Sequence, residues 1–270
     1  MTVIERIILI SQTVIKMGNV RKKTSGTKEW ADFNVNCVKG CANDCRYCYA
    51  KMIAKRFGRC TEDSWKNMII NTKMVDKKFK KYNGRVMFPS SHDIVDIPEV
   101  KEACFTVLKN LLDADNEVLV TMKPSLSVTK DVVESFRTYK DRMQFRFTIT
   151  SNDDETLSFW EPNAPAYSER LEALKLAYKE GFKTSVSVEP FLDDDPVPLV
   201  KELSPYITES IWVGPMNHMP RKNIHPADIP EYDRIRIAKH VDNLRRIHVE
   251  LVNVRNIRFK DSMRNKLGLS

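Results

Sequence analysis

The sequence predicts an α/β protein, a partial or near-complete parallel (β/α)6 barrel of the TIM type. Six short apolar, β-branched or aromatic runs have the composition of strands, and longer segments with helical periodicity separate them. Strands that alternate with helices pair in parallel through helical crossovers. Closure of such a sheet into a whole or partial barrel places its ligands at the carboxyl ends of the strands. The 270 residues are enough for one such domain with a buried core.

The predicted elements follow one another in a regular order. The six predicted strands are residues 33–37, 85–89, 117–122, 144–150, 184–190 and 210–214. The predicted helices between them include residues 50–57, 100–112 and 169–180, the last ended by Gly181 in a C′ position. A further helix is expected over residues 230–249, before a short strand at residues 257–259.

The net charge of +8 is concentrated at the two ends of the chain. Residues 1–30 carry +4 and residues 216–270 carry +6, which leaves −2 for residues 31–215. We therefore expect a basic N-terminal arm, flexible over residues 17–28, then a barrel core, then a basic C-terminal helix and strand that pack on or complete the barrel. Basic ends around a near-neutral core suit a nucleic acid lying across one face, and solvated basic tails are the alternative.

The hydropathy pattern excludes a membrane span, because no run of about 18 uncharged apolar residues is present. The apolar run at residues 7–10 is too short for the core of a signal peptide. No glycine-rich phosphate loop of the P-loop or dinucleotide type is present either. We expect a cytoplasmic protein.

Four of the six cysteines, Cys37, Cys41, Cys45 and Cys48, fall within twelve residues. Such crowding predicts a metal site and not a disulfide framework. Thiolates at spacings of four and three, in a loop after the first strand, select iron-sulfur or zinc. Three thiolates on a 4Fe-4S cluster leave one iron open, as a reactive site needs. All four together would instead close the site, as structural zinc or as an electron-transfer cluster.

The run from Cys41 to Cys48 resembles the CxxxCxxC signature of the radical S-adenosylmethionine (SAM) superfamily, with Tyr47 as the aromatic residue before the last cysteine. Other segments are similar, in the same order, to the spore photoproduct lyase-like branch and to related phage-associated radical SAM proteins. These segments are residues 49–50, 89–98, 120–123, 145–150, 161–165 with Arg170, and 259–262.

This resemblance implies that Cys41, Cys45 and Cys48 hold three irons of a 4Fe-4S cluster and leave the fourth for SAM. Reduction of the cluster then cleaves SAM to a 5′-deoxyadenosyl radical, which abstracts hydrogen from the substrate. The implied partner is an external one-electron reductant of the flavodoxin or ferredoxin type.

Polar residues at the predicted strand ends are the candidate SAM ligands. Ser90, Ser91 and Asp93 can accept hydrogen bonds from the SAM ammonium group. Lys123 and Arg170 can donate to its carboxylate. The candidates for the ribose and the adenine are Thr148, Ser151, Glu189 and Tyr47.

Two histidines near the predicted site are candidate general acids or bases. His92 lies beside the proposed SAM ligands, and His218 follows the sixth strand. The alternative for both is a hydrogen-bonded structural role. The acidic run at residues 193–195 is interpreted as a solvated loop and not as a metal site.

Ser90 falls where the photoproduct lyases carry the cysteine that returns hydrogen to the thymine radical. A serine O–H bond is far too strong to replace a thiol as hydrogen donor, so thymine-dimer repair is not expected. The expected substrate is a nucleic acid or a nucleotide. Radical chemistry on a peptide or small metabolite, and a non-enzymatic four-cysteine zinc or iron-sulfur module, are the alternatives.

Overall fold

The computed structural model describes residues 26–219 and 224–269. The described strands are β1 (Phe33–Asn34), β2 (Val38–Lys39), β3 (Ile69–Ile70), β4 (Val86–Phe88), β5 (Val118–Met122), β6 (Met143–Thr148), β7 (Lys183–Val188), β8 (Ser210–Val213) and β9 (Ile257–Phe259). The described α-helices are α1 (Tyr49–Arg56), α2 (Thr72–Val75), α3 (Pro98–Asp113), α4 (Leu126–Ser135), α5 (Asp154–Trp160), α6 (Tyr167–Lys179), α7 (Val197–Leu203), α8 (Ile229–Ala238), α9 (Val241–Leu251) and α10 (Asp261–Leu267).

Seven of these strands form one sheet in the order β1-β4-β5-β6-β7-β8-β9, and every pair in it is parallel. The sheet curls into a half-barrel, and β2 and β3 form a separate antiparallel pair. The predicted α/β class and partial barrel are therefore confirmed. All six predicted strands occur, each a little shorter than or shifted from its predicted bounds, and the short strand predicted at residues 257–259 occurs with those bounds.

The strands alternate between an apolar outer face and a polar inner face. In β6, Phe145 and Phe147 belong to the hydrophobic core under the helices, whereas Arg146 lies on the opposite face. The inner face continues across the sheet, where Arg146 donates hydrogen bonds to the hydroxyls of Ser185 in β7 (3.2 Å) and Ser210 in β8 (3.3 Å). The lumen of the half-barrel is consequently polar and suited to a polar ligand.

One prediction about the helices is wrong. Residues 230–249 form two helices, α8 and α9, because the chain is extended at His240 (φ −64°, ψ 149°). The side-chain amide of Asn243 donates to the carbonyl oxygen of Ala238 (2.7 Å), which binds an acceptor left free at the end of α8. The apolar residues keep their helical spacing across the break, so the sequence pattern could not reveal that the helix is interrupted.

The first described residues cross the open side of the half-barrel. Residues Gly26–Glu29 form a 3-10 helix at the end of β9, and the chain then reaches β1 at the other edge of the sheet. Trp30 lies between the 3-10 helix and β1, and the centre of its ring is 6.0 Å from that of Trp212 in β8. Of the arm expected over residues 17–28, the first nine lie outside the described residues. Among the described residues, none of the helices combines the length and the hydrophobicity that a membrane span requires.

Candidate functional site

The three cysteines of the CxxxCxxC run lie in one loop between β2 and α1. The loop begins at Gly40, whose φ of +91° is a left-handed conformation that favours glycine. A Cβ atom there would overlap the carbonyl oxygens of Trp65 and Asn67. The backbone N–H of Cys41 donates to the same Trp65 oxygen (2.9 Å), so the loop is seated against residues 65–67.

The other end of the loop is fixed by the start of α1. Cys48 is the N-cap residue of this helix, and its Sγ accepts a hydrogen bond from the backbone N–H of Lys51 (3.4 Å). The backbone N–H of Arg46 donates to the carbonyl oxygen of Trp160 (2.9 Å), which ties the middle of the loop to the end of α5. The loop is thus anchored to Trp65, to the end of α5 and to the start of α1.

The thiols of this loop lie close enough to influence one another, and Lys123 lowers their pKa values by less than burial raises them. Burial, and then the charge of Asp93, raise the pKa of Cys41 to about 12. Burial also raises the pKa of Cys45, and the nearby Cys41 and Cys48 raise it further. Three neighbouring thiols with raised pKa values need added positive charge to become thiolates. A metal cluster supplies that charge, so the donor set fits a 4Fe-4S cluster with three protein ligands.

Cys37 does not join this set. Its Sγ lies 3.8 Å from the Sγ of Cys104 in α3, and both side chains are fully buried. Its backbone N–H donates to Nε2 of His92 (3.2 Å), and Nδ1 of His92 lies 3.0 Å from the carbonyl oxygen of Asp93. Both ring nitrogens of His92 therefore have hydrogen-bond partners, as expected of a histidine with a structural role. His218 is exposed.

A second group of three potential ligands occurs here: Cys37, His92 and Cys104 have ligand atoms within 4.8 Å of one another. The Nε2 lone pair of His92 accepts the Cys37 N–H, so this nitrogen is already used within the group. The contact accounts for the fourth clustered cysteine by directing it into the core beneath α3.

Asp93 connects the cysteine loop to the sheet. Its Oδ2 accepts from the side-chain amide of Asn43 in the loop (2.6 Å) and from the backbone N–H of Lys123 at the end of β5 (2.9 Å). Its Oδ1 accepts from the backbone N–H of Ile94 (2.8 Å). Burial raises the pKa of this carboxyl against the lowering effect of Lys123.

Ser90 and Ser91 are oriented by Asn36, just beyond β1. The side-chain oxygen of Asn36 accepts from both backbone N–H groups, at 2.7 and 2.9 Å, and its amide donates to the Ser90 hydroxyl (2.9 Å). The Tyr49 hydroxyl donates to the carbonyl oxygen of Ser90 (2.5 Å). These serines therefore lie next to the first turn of α1.

Glu161, at the end of α5, collects three of the predicted site residues. Its carboxylate accepts from the Tyr47 hydroxyl and from the Thr150 hydroxyl (2.8 Å), and pairs with Arg170 (2.6 Å). Nζ of Lys123 lies 3.7 Å from the same carboxylate and 5.5 Å from the centre of the Tyr47 ring.

The charges of this group support one another. Burial opposes ionisation of Glu161, but Arg170 and Lys123 outweigh it and lower its pKa. Burial likewise opposes the charge of Lys123, but Cys45 and Glu161 outweigh it and hold its pKa well above the usual range. Lys123 is therefore a stable cation beside the cysteine loop. Arg170 is fully buried and also donates to the carbonyl oxygen of Pro165 (2.7 Å).

The remaining three predicted ligands have other partners. Ser151, after β6, donates its hydroxyl hydrogen bond to Asp193, and Thr148 is half-buried at the end of β6. Glu189, after β7, lies 3.8 Å from Nζ of Lys260, and burial raises its pKa to about 7. All three lie at carboxyl ends of strands, on the same edge of the sheet as the cysteine loop.

Sequence reasoning missed three residues that organise the site: Asn36, Asn43 and Glu161. Asn43 lies between two of the clustered cysteines, and Glu161 begins the segment 161–165 that carried part of the resemblance. Their positions within motifs were the available signals. Asn36 had no such signal, because only the fold brings it to Ser90.

A family model described as the radical SAM superfamily matches residues 35–195, which is more than half of the chain. The uncharacterized protein ORF301 of Acidianus two-tailed virus is 28% identical over 269 residues, covering 92% of this chain and 86% of the relative. The uncharacterized protein MJ0683 of Methanocaldococcus jannaschii is 27% identical over 167 residues, covering 61% of this chain and 62% of the relative.

Two solved structures have a similar fold. Spore photoproduct lyase complexed with dinucleoside spore photoproduct has a TM-score of 0.51 and 16% identity, covering 82% of this chain and 64% of that one. SuiB of Streptococcus suis bound to S-adenosylmethionine has a TM-score of 0.50 and 12% identity, covering 82% of this chain and 45% of that one. The chain spans less than two thirds of both structures, and at these identities the likeness is one of fold.

Proposed function

The chain belongs to the radical SAM superfamily, and we propose from this that it reductively cleaves SAM at a 4Fe-4S cluster bound by Cys41, Cys45 and Cys48. When bound, cluster and SAM would supply a 5′-deoxyadenosyl radical that abstracts hydrogen from the substrate. The observation that carries the proposal is a set of three neighbouring thiols from which Cys37 is absent, since its side chain contacts Cys104. Three ligands leave one iron open, whereas four would close the site.

The cationic end of the SAM site is Lys123. Its ammonium group lies beside the cysteine loop, its pKa is raised, and Glu161 fixes its position, so it can donate to the SAM carboxylate. We assign Arg170 an indirect role, because it is fully buried and pairs with Glu161. Arg170 would position the carboxylate of Glu161, which in turn positions Lys123.

The remaining proposed contacts follow from the positions of the strand ends. Asp93, with Ser90 and Ser91, would accept from the SAM ammonium group. Tyr47 would pack against the adenine with its ring, since its hydroxyl is occupied by Glu161. The proposed ribose partners are Thr148, Ser151 and Glu189.

We propose a nucleic acid or nucleotide as the substrate. The two basic ends of the chain favour a polyanion, and a structure with the same fold is complexed with a dinucleoside. Ser90 at the position of the lyases' hydrogen-donating cysteine argues against thymine-dimer repair. We also retain the expected cytoplasmic location and the external one-electron reductant.

The cluster is tested by anaerobic reconstitution followed by measurement of iron, sulfide and 5′-deoxyadenosine after addition of SAM and dithionite. Wild type and Cys37→Ala are expected to bind about four irons and to form 5′-deoxyadenosine. Cys41→Ala is expected to lose both. Zinc in place of iron, or an equal loss of iron in Cys37→Ala, would overturn the three-ligand cluster.

The substrate class is tested separately by the binding of DNA and RNA oligonucleotides at several salt concentrations. Binding that weakens as salt rises, with a slope of several ions, is expected if phosphates lie across the basic ends. Absence of binding at low salt, in a preparation that still forms 5′-deoxyadenosine, would move the substrate to a peptide or small metabolite.

A further inference from the structure

Helix α1 leaves a row of apolar side chains in solvent. Tyr49, Met52, Ile53 and Phe57 recur at helical spacing, and they are 40%, 45%, 42% and 63% exposed. We call these four residues the α1 face. A contiguous exposed apolar surface rimmed by polar residues is typical of an interaction site.

The α1 face begins where the cysteine loop ends. Cys48 is the N-cap of α1, so Tyr49 and Met52 lie within one turn of a proposed cluster ligand. Cys41 and Cys45 are buried, whereas Cys48 is half-buried. A protein seated on the α1 face would therefore approach the cluster on its most accessible side.

The surroundings of the α1 face are basic. Residues 39–66 carry seven Lys and Arg against three Asp and Glu, a net +4, which is half of the excess of the whole chain in about a tenth of its length. Within the described ranges, the exposed Arg56 and Lys66 have no acidic partner, and the guanidinium of Arg59 lies 5.3 Å from the centre of the Phe57 ring.

This charge selects among partners. A second copy of the chain would bring an equally basic surface, and residues 1–25 carry a net +4 themselves, so both would be repelled. An acidic protein would be attracted, and its approach would be accelerated at low salt.

Resting on the proposed function, we propose that the α1 face is the docking surface for a small acidic electron-transfer protein. In the docked complex the donor is oxidised by one electron and the cluster is reduced by one electron, with no proton or bond transferred. Electron-transfer complexes are small and short-lived, which fits a surface made by four side chains of one helix.

The proposal is tested with flavodoxin hydroquinone as the probe and the reconstituted holoenzyme. We expect Ile53→Glu and Arg56→Glu each to weaken flavodoxin binding at least about tenfold, because they place negative charge on or beside the face. The matched controls are Val249→Glu, which alters an exposed apolar residue of α9, and Arg255→Glu, which reverses an exposed charge beyond α9. Both controls are expected to bind flavodoxin as wild type does.

Cluster reduction, followed by its absorbance, separates docking from chemistry. Flavodoxin should reduce the two α1 variants more slowly, whereas dithionite should reduce all variants equally. Equal flavodoxin rates in α1 and control variants would overturn the proposal, as would a change in oligomeric state with Ile53→Glu. Failure of dithionite-reduced wild type to cleave SAM would instead refute the proposed function. The measurement of flavodoxin binding would still be interpretable in that case.

Discussion

The carboxylate of Glu161 contacts two cations and two hydroxyl groups inside the protein, from Lys123, Arg170, Tyr47 and Thr150. A buried ion pair adds little net stability, but removal of one partner leaves an uncompensated buried charge. Glu161 is therefore the residue whose loss should disturb the site most widely without touching a cysteine.

Glu161→Gln is expected to destabilise the protein by about 3–5 kcal/mol, because Arg170 would remain buried without its anion. Urea unfolding of the cluster-free protein measures this cost. Glu172→Gln is the control, since Glu172 is exposed on α6 and pairs only with Lys175 at the surface; its cost should be below about 1 kcal/mol. Similar costs for the two variants would contradict the role given to Glu161.

Glu189 should make stability depend on pH in the neutral range. Burial raises its pKa from 4.5 to about 7, so the folded state binds this proton more tightly than the unfolded state. The stabilisation from this tighter proton binding is fully present below about pH 4.5 and is lost as the pH rises through 7. Between these limits wild type should lose roughly 3 kcal/mol relative to Glu189→Gln, measured by urea unfolding at each pH. A constant difference between the two proteins across this range would rule the effect out.

At the level of single residues, the sequence could indicate the residues that lie close together within a motif, but not the contacts between residues that are distant in the chain. The spacing of Cys41, Cys45 and Cys48 is visible in the chain itself, although their role as ligands stays a prediction. The contact of Cys37 with Cys104 depends on the packing of α3 beneath the sheet, so the sequence left two possibilities open for Cys37.

Among the elements, the cysteine loop depends on one backbone position. Gly40 has a positive φ, and the carbonyl oxygens of Trp65 and Asn67 occupy the space of a Cβ atom. Gly58, at the end of α1, also has a positive φ (+64°), but nothing lies within 4 Å of its Cβ position. A comparison of alanine substitutions at these two glycines therefore separates the cost of backbone strain from the cost of steric overlap.

Gly58→Ala should cost about 1–2 kcal/mol from the left-handed backbone alone. Gly40→Ala should cost a further ~1–3 kcal/mol, because the loop must move away from residues 65–67. It should also lower the iron bound on reconstitution, whereas Gly58→Ala should not. Thermal unfolding and iron content are the two measurements, and normal iron loading in Gly40→Ala would contradict the seating of the loop.

The elements themselves were predictable where the apolar pattern is strong. The strands carry alternating or continuous apolar runs, and their order predicted the parallel sheet. Five described helices (α2, α4, α5, α7 and α10) and the short pair β2 and β3 were not identified, since these elements are short and their apolar pattern is weak. The break between α8 and α9 was hidden because apolar residues keep their spacing across it.

On the scale of the whole molecule, the two ends of the described chain are joined inside it. Nζ of Lys260 donates to the carbonyl oxygen of Gly26 (3.0 Å) and pairs with Glu29 (2.5 Å), and both charged side chains are almost completely buried. Glu29 also accepts from the backbone N–H of Asp261 (3.2 Å). This contact fixes residues 26–32 across the open side of the half-barrel.

Glu29→Gln is expected to cost about 3–5 kcal/mol, since Lys260 would lose the nearer of its two acidic partners, Glu29 at 2.5 Å and Glu189 at 3.8 Å. Hydrogen exchange should become faster in residues 26–34 and 257–267 together, because the contact joins them. Glu250→Gln, which removes an exposed partner of Arg246 on α9, is the control. Faster exchange in only one of the two segments would show that they are not coupled.

The cysteine loop also determines when a cofactor can enter the protein. Only three residues separate Cys41 from Cys45, and two separate Cys45 from Cys48, so ligation closes very short segments and costs little chain entropy. None of the three belongs to the packed apolar clusters of the interior. Unlike a zinc finger, which is unfolded without its metal, this barrel should fold first and receive its cluster afterwards. Iron removal by a chelator should then leave the far-ultraviolet circular dichroism spectrum and the cooperativity of unfolding unchanged, while the free energy of unfolding falls by what the bound cluster contributes. Assembly of the cofactor would then be a step of maturation and not of folding.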